Sequence, residues 1–138
     1  MPRTRMAGAT PETGTKGERR KATYTLYGKK GSGSAATQMA LEIIGAPYRV
    51  IETASWAPNE AFADLLKVNP LGQIPTLVLP DGSALSESAA ILIYLDGVHP
   101  ESGLLPRATA ARAQAVRGIV FIAANCYAAI SVIDFPER

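Results

Sequence analysis

Cysteine is almost missing from this chain: Cys126 is the only one in 138 residues, so no internal disulfide can form and stability has to come from a packed core. Histidine is equally scarce. The single His99 stands in a Val-His-Pro loop without a cysteine or carboxylate at ligand spacing, and no metal set is expected. No apolar h-region occurs in the first 22 residues, so no secretory signal is expected. The longest apolar stretch, Gly118 to Ile133, has 16 residues and is interrupted by Asn125 and Ser131, which is short and polar for a membrane span. These absences fit a cytoplasmic protein with no membrane partner. Surplus charge is missing too: the formal net charge is +2, with +4 on residues 1–21 and −2 on residues 22–138. The basicity belongs to the leader, and no nucleic-acid partner is expected for the rest.

That leader, residues 1–21, is rich in Thr, Gly, Pro and charge, the composition of a disordered segment. It lacks Ser and contains Glu12 and Glu18, which argues against a transit peptide. Thr23 to Tyr27 alternates β-branched and aromatic residues and predicts a strand. From Ser34 the positions Ala36, Met39, Ala40, Ile43 and Ile44 follow helical spacing, with Gly45 at the C-cap and Pro47 beyond. Tyr48 to Thr53 predicts a second strand. Asn59 to Val68 predicts a shorter helix with Ala61, Phe62, Leu65 and Leu66 on one face. Pro80-Asp81-Gly82-Ser83 is a hairpin turn between Val78-Leu79 and Ala84-Leu85.

Ser86-Glu87-Ser88 then opens an apolar helical run through Leu95. The predicted order is β-α-β-α-β-β-α, with two parallel strands, an added hairpin, and helices on both faces of a mixed four-stranded sheet. A linker, residues 99–109, leads to a further helix over residues 110–138, whose apolar positions are Val116, Ile119, Ile122, Ala123, Tyr127 and Ile130.

The stretch NPLGQIPTLVLPDGSALSESAAI, residues 69–91, carries the most chemistry. A proline in Gln73-Ile74-Pro75 cannot donate to a ladder and suits a cis bond, leaving its neighbours' backbone groups free. Glu87 and Ser88 sit among the free N–H groups of a helix start. A carboxylate that takes an ammonium, beside a helix end that takes a carboxylate, makes a site for a zwitterion. Two other readings compete. Gly31-Ser32-Gly33-Ser34-Ala35-Ala36 matches G-x-G-x-x-A with Glu52 further on, a dinucleotide fingerprint, but only one parallel unit follows it. The same loop is where a thioredoxin-like chain would carry C-x-x-C, and it has no thiol, so dithiol exchange is excluded there.

From about Tyr24 to Arg138 the chain resembles the bacterial cytosolic glutathione transferases, with NPLGQIP and SESAAI in the family's order and spacing. The resemblance implies a thioredoxin-like, glutathione-binding domain over residues 22–98, followed by the start of an all-helical domain. It implies that Ile74, exposed by cis Pro75, holds the cysteinyl part through its backbone. It also implies that Glu87 takes the γ-glutamyl ammonium, that Ser88 takes the adjoining carboxylate, and that Gln73 assists. The thiol-activating residue falls at Ser32 or Ser34, flanking Gly33, where cysteine-type members carry their cysteine.

The implied reaction conjugates the glutathione thiol to small electrophiles, a detoxification chemistry, in a homodimer. A non-catalytic glutathione-binding protein and an inactive truncated transferase are the alternatives. The remaining residues read as ordinary structure: Cys126 as a buried small hydrophobe, His99 as a solvated loop residue, Trp56 as packing, Lys29 and Lys30 as solvated.

Overall fold

The computed structural model describes residues 23–134, so the leader expected over residues 1–21 lies outside the described residues. Strand β1 (Tyr24–Gly28) is followed by α1 (Ser34–Ile44), β2 (Tyr48–Glu52), α2 (Phe62–Val68), β3 (Thr76–Val78), β4 (Ala84–Ser86) and α3 (Ser88–Val98). The sheet runs β2-β1-β3-β4, with β1 and β2 parallel and the other pairs antiparallel. This is the thioredoxin-like arrangement. Among the described residues there is a single parallel pair, which leaves no doubly wound sheet for the dinucleotide reading of Gly31 to Ala36.

Side-chain alternation along β1 sends Tyr24 and Leu26 to one face, where they meet Ala40 and Leu41 of α1, Leu77 of β3, and Ile91 and Leu95 of α3 in the main core. Thr25, Tyr27 and Thr76 point to the opposite face and are also buried. Asn69, just past α2, reaches Thr76 there with a 2.9 Å hydrogen bond, which puts α2 on that second face.

Helix α1 turns a different stripe inward from the one its apolar spacing predicts. Ser34, Thr37, Ala40 and Leu41 are buried, while Met39 and Ile43 are 64% and 63% exposed. The helix carries apolar residues on two sides, so periodicity alone chose between two faces. Small Ser34 and Thr37 let the backbone approach β1 and α3, and that close approach selected the other one. Helix α2 begins at Phe62 rather than Asn59, because the Asn59 side chain turns back to donate to the Glu52 carbonyl at 2.7 Å. Ser86 closes β4 instead of opening α3.

His99 also departs from its solvated reading: its Nε2 lies 3.1 Å from the Tyr24 hydroxyl, and the ring is half-buried. Past a short 3-10 turn, Pro100–Ser102, the chain enters α4 (Thr109–Phe121), a π-helical turn (Ile122–Cys126) and α5 (Tyr127–Asp134). Cys126 is exposed, which corrects its reading as a core residue. Val120, Phe121, Ile122 and Ile130 are exposed as well, since α4 meets the domain mainly at its first turns.

The helical run Thr109–Ile130 spans 22 residues and is, by length and composition alone, long and apolar enough to cross a membrane. The helix begins earlier than the apolar stretch at residues 118–133. Its first turn is held to the domain. Arg112 pairs with Asp96 of α3 at 2.5 Å, and Asp96 is fully buried.

Candidate functional site

Three segments of the sequence meet at one end of the sheet because of strand register. The last β3–β4 pair at that end is Thr76↔Ser86, so Pro75 and Glu87 are the next residues on the two chains. The last β1–β3 pair is Tyr27↔Thr76, so Gly28 and the loop to α1 flank Pro75 on the other side. Thus the loop holding Ser32 and Ser34, the Ile74-Pro75 step and the Glu87-Ser88 junction form one rim.

The Ile74-Pro75 bond is cis, as its sequence suggests. Neither peptide group of Ile74 has a hydrogen-bond partner among the described residues. Sequence reasoning missed what holds this turn. Asn69, the first residue of NPLGQIP, is buried. Its Nδ2 donates to the Thr76 hydroxyl at 2.9 Å and to the Gln73 carbonyl at 3.2 Å, while its Oδ1 accepts from the Leu71 N–H at 3.2 Å. The Thr76 hydroxyl donates to the same Gln73 carbonyl at 2.8 Å. Gly72 has φ +62°, and a Cβ there would stand 2.9 Å from the Phe62 ring, so no side chain fits. The backbone of Gln73 thereby anchors the turn, and its side chain is exposed. Asn69→Ala is expected to cost about 1–3 kcal/mol of stability, since it strands buried polar groups. Urea unfolding of the variant checks this.

Glu87 is the single residue between β4 and α3, and it has φ 68°, ψ 111°. A left-handed φ on a glutamate costs on the order of 1–3 kcal/mol and persists only where the surroundings impose it. The strand ladder fixes one side of the residue and the helix the other. The conformation leaves the carboxylate exposed, with no hydrogen bond or ion pair among the described residues. The first helical bond of α3 runs from the Ile91 N–H to the Glu87 carbonyl at 3.0 Å, so the amides of Ser88, Ala89 and Ala90 precede it and point out of the helix end.

The two serines differ. Ser34 is buried. Its Oγ accepts from the Lys29 N–H at 3.1 Å and lies 3.2 Å from the Lys29 carbonyl. A Cβ on Gly28 would come within 2.5 Å of that oxygen. Ser32 is half-buried; its hydroxyl donates to the Lys29 carbonyl at 2.6 Å and lies 2.9 Å from the Ser34 hydroxyl. The ring of Tyr127, from the far side of the π-helical turn, packs on Gly33 between them.

Comparison with known proteins points to one family. Residues 34–98 match the family described as glutathione S-transferase, N-terminal domain. Over this stretch the chain is similar to the N-terminal domain of the glutathione S-transferases. It is 32% identical over 82% of its length to a GST-like protein of Escherichia coli, YncG, covering 55% of that protein. It is 34% identical to glutathione S-transferase Z1 of Arabidopsis thaliana over 66% of its length, covering 40% of that protein. Among solved structures, a glutathione transferase homologue from Sulfitobacter with bound glutathione aligns at TM-score 0.70 and 30% identity, covering 80% of this chain and 53% of that one. A beta class transferase of Sphingomonas chungbukensis aligns at TM-score 0.72 and 30% identity, over 83% of this chain and 58% of that one. The chain thus spans about half the length of the relatives it matches.

Proposed function

We propose that the chain binds glutathione and activates its thiol for attack on a small electrophile, as a glutathione transferase. The observation that carries this reading is the convergence, at one sheet end, of the unpaired Ile74 backbone, the strained Glu87 carboxylate and the open amides of α3. In this reading Ile74 pairs with the cysteinyl backbone of glutathione, and Pro75 and Gln73 hold it in place. Glu87 receives the γ-glutamyl ammonium, and Ser88 with its helix amides receives the neighbouring carboxylate. The sulfur then lies toward the start of α1, whose positive helix end favours the thiolate.

Holding that thiolate beside the electrophile is a proximity mechanism: the sulfur lone pair forms the new bond, and the leaving group departs with its electrons or, in addition, the electrophile takes a proton from water. In this reading Ser32, the less buried of the two serines, faces the sulfur. Ser34 holds the loop. Ser34→Ala is expected to lower the melting temperature, because it leaves the Lys29 N–H without its acceptor, at about 1–3 kcal/mol. Ser32→Ala is expected to spare stability and slow conjugation.

We place the protein in a reducing cytoplasm, off the membrane, as a homodimer whose contact covers the apolar residues of α4 and α5; gel filtration tests the assembly. The domains in this reading are residues 22–98 for glutathione, 99–109 as linker and 110–138 as the opening of a helical domain. Calorimetric titration with glutathione, followed by conjugation of an activated aryl halide, tests the function. Micromolar-to-millimolar binding with turnover supports it. Binding without turnover restricts it to a glutathione-binding protein, and no binding sinks it.

A further inference from the structure

The start of α1 has one hydroxyl the preceding reading does not use. Tyr127 is the first residue of α5, yet its ring lies on Gly33: a Cβ on that glycine would meet the Tyr127 ring carbons at 3.1 and 3.3 Å and the phenol oxygen at 3.3 Å. The absence of a side chain at Gly33 is what admits the ring. What aims it there is the π-helical turn Ile122–Cys126, closed by the bond from the Tyr127 N–H to the Ile122 carbonyl. That turn inserts one residue into the helical register and rotates everything after it by about 100° relative to an uninterrupted α-helix. The Asn125 side chain supports it by donating to the Phe121 carbonyl at 3.0 Å.

The serines of the α1 loop are occupied with their own loop. Both hydroxyls stand within hydrogen-bond reach of one acceptor, the Lys29 carbonyl, and of each other. A sulfur that takes a proton from either must break that arrangement. Tyr127 has no such commitment, for its hydroxyl has no hydrogen-bond partner among the described residues. Tyr127 is 38% exposed, so the residue lies at the surface beside the α1 loop rather than inside the core.

We infer that Tyr127 donates its phenol O–H to the sulfur of bound glutathione, from the helical segment across the start of α1. This rests on the glutathione reading above. The S–H bond breaks heterolytically, its proton goes to solvent, and both electrons stay on sulfur. Tyr127 keeps its own proton and shares it in a hydrogen bond with the thiolate, which favours the anion. The thiolate then attacks the electrophile. The helical segment therefore supplies a catalytic residue to the same sulfur that the α1 loop faces, and thiol activation depends on how that segment is seated.

The test uses the 138-residue chain, Tyr127→Phe and Gly33→Ala, with glutathione as the probe. The ultraviolet absorbance of the bound thiolate is followed against pH, and calorimetry gives affinity. Tyr127→Phe keeps the ring on Gly33, so it is expected to melt like the parent and bind glutathione within about twofold. Its bound thiol is expected to titrate about one unit higher, leaving roughly tenfold less thiolate at a given pH. Gly33→Ala pushes the ring away and is expected to shift the titration in the same direction. An unchanged thiol titration in Tyr127→Phe, with binding intact, overturns the inference and leaves the glutathione reading standing. Loss of binding with an unchanged melt also overturns it, making Tyr127 a binding contact. Failure of the parent chain to bind glutathione overturns both.

Discussion

Glu87→Gln is expected to weaken glutathione binding by roughly 30- to 150-fold, about 2–3 kcal/mol, while leaving the ligand-free melting temperature nearly unchanged. The substitution keeps the shape of the side chain and removes its charge. A carboxylate paired with the γ-glutamyl ammonium loses the ion pair and leaves that ammonium with a neutral amide. The expected loss sits at the low end of the range for close charge pairs, because Glu87 is exposed before the ligand arrives and is only partly desolvated by it. The stability effect is small for a separate reason. Glu87 makes no hydrogen bond or ion pair among the described residues, so the fold loses only a charge at a helix start, about 0.3–1 kcal/mol. Glu87→Gly separates the backbone from the charge. It removes the cost of the left-handed φ, so stability is expected to hold or rise, while binding falls as in Glu87→Gln. Calorimetry and thermal melts on both variants check the pair. Unchanged affinity in Glu87→Gln would leave Glu87 a strained junction with no part in recognition.

Asp96→Asn is expected to destabilise the protein by about 2–4 kcal/mol, the largest stability loss among the substitutions considered, and to free α4 from the domain. Asp96 is fully buried near the end of α3. Its Oδ1 accepts from the Leu105 N–H at 3.0 Å and from Arg107 at 3.0 Å, and its Oδ2 accepts from Arg112 at 2.5 Å. Arg107 also donates to the Pro100 carbonyl, so one carboxylate organises the whole passage from α3 into α4. Burial pushes the Asp96 carboxyl upward, but the Arg112 hydrogen bond, the Leu105 N–H and the two guanidinium charges together hold it below the usual carboxylate range. A depressed folded value means that this stabilisation is fully present above the unfolded aspartate value near 3.9 and is lost as pH falls through the lower, folded value. The parent chain should therefore lose this tether only in strong acid, and Asp96→Asn should flatten that part of the profile. Urea unfolding as a function of pH measures both effects. Because Arg107 and Arg112 reach solvent in part, they rehydrate when the carboxylate is gone, which keeps the cost below that of a fully enclosed pair.

The two sites were legible in the sequence to different degrees. Ile74-Pro75 and Glu87-Ser88 could be read because each is a local device: a proline without an N–H, and a carboxylate at the start of an apolar helical run. Asn69 lay in the same motif but gave no signal, since its worth depends on Thr76 standing opposite it across a turn. Asp96 gave no signal, as its partners Leu105, Arg107 and Arg112 become partners only when the chain doubles back. Tyr127 looked like one more apolar position of a helix. The π-helical turn that redirects it has no spacing signature, because the change of register is made by backbone hydrogen bonds rather than by residue type.

By itself the sequence determined the order of the elements, the mixed sheet, the cis proline step and the chemical character of the rim at the sheet end, because these follow from periodicity, turn residues and the missing donor of proline. Only the tertiary structure decided which stripe of α1 is buried, that Ser34 holds the loop while Ser32 lies nearer solvent, that His99 meets Tyr24, and that Tyr127 rests on Gly33. Each of these depends on contacts between residues far apart in the chain, and packing chose among local alternatives of nearly equal energy.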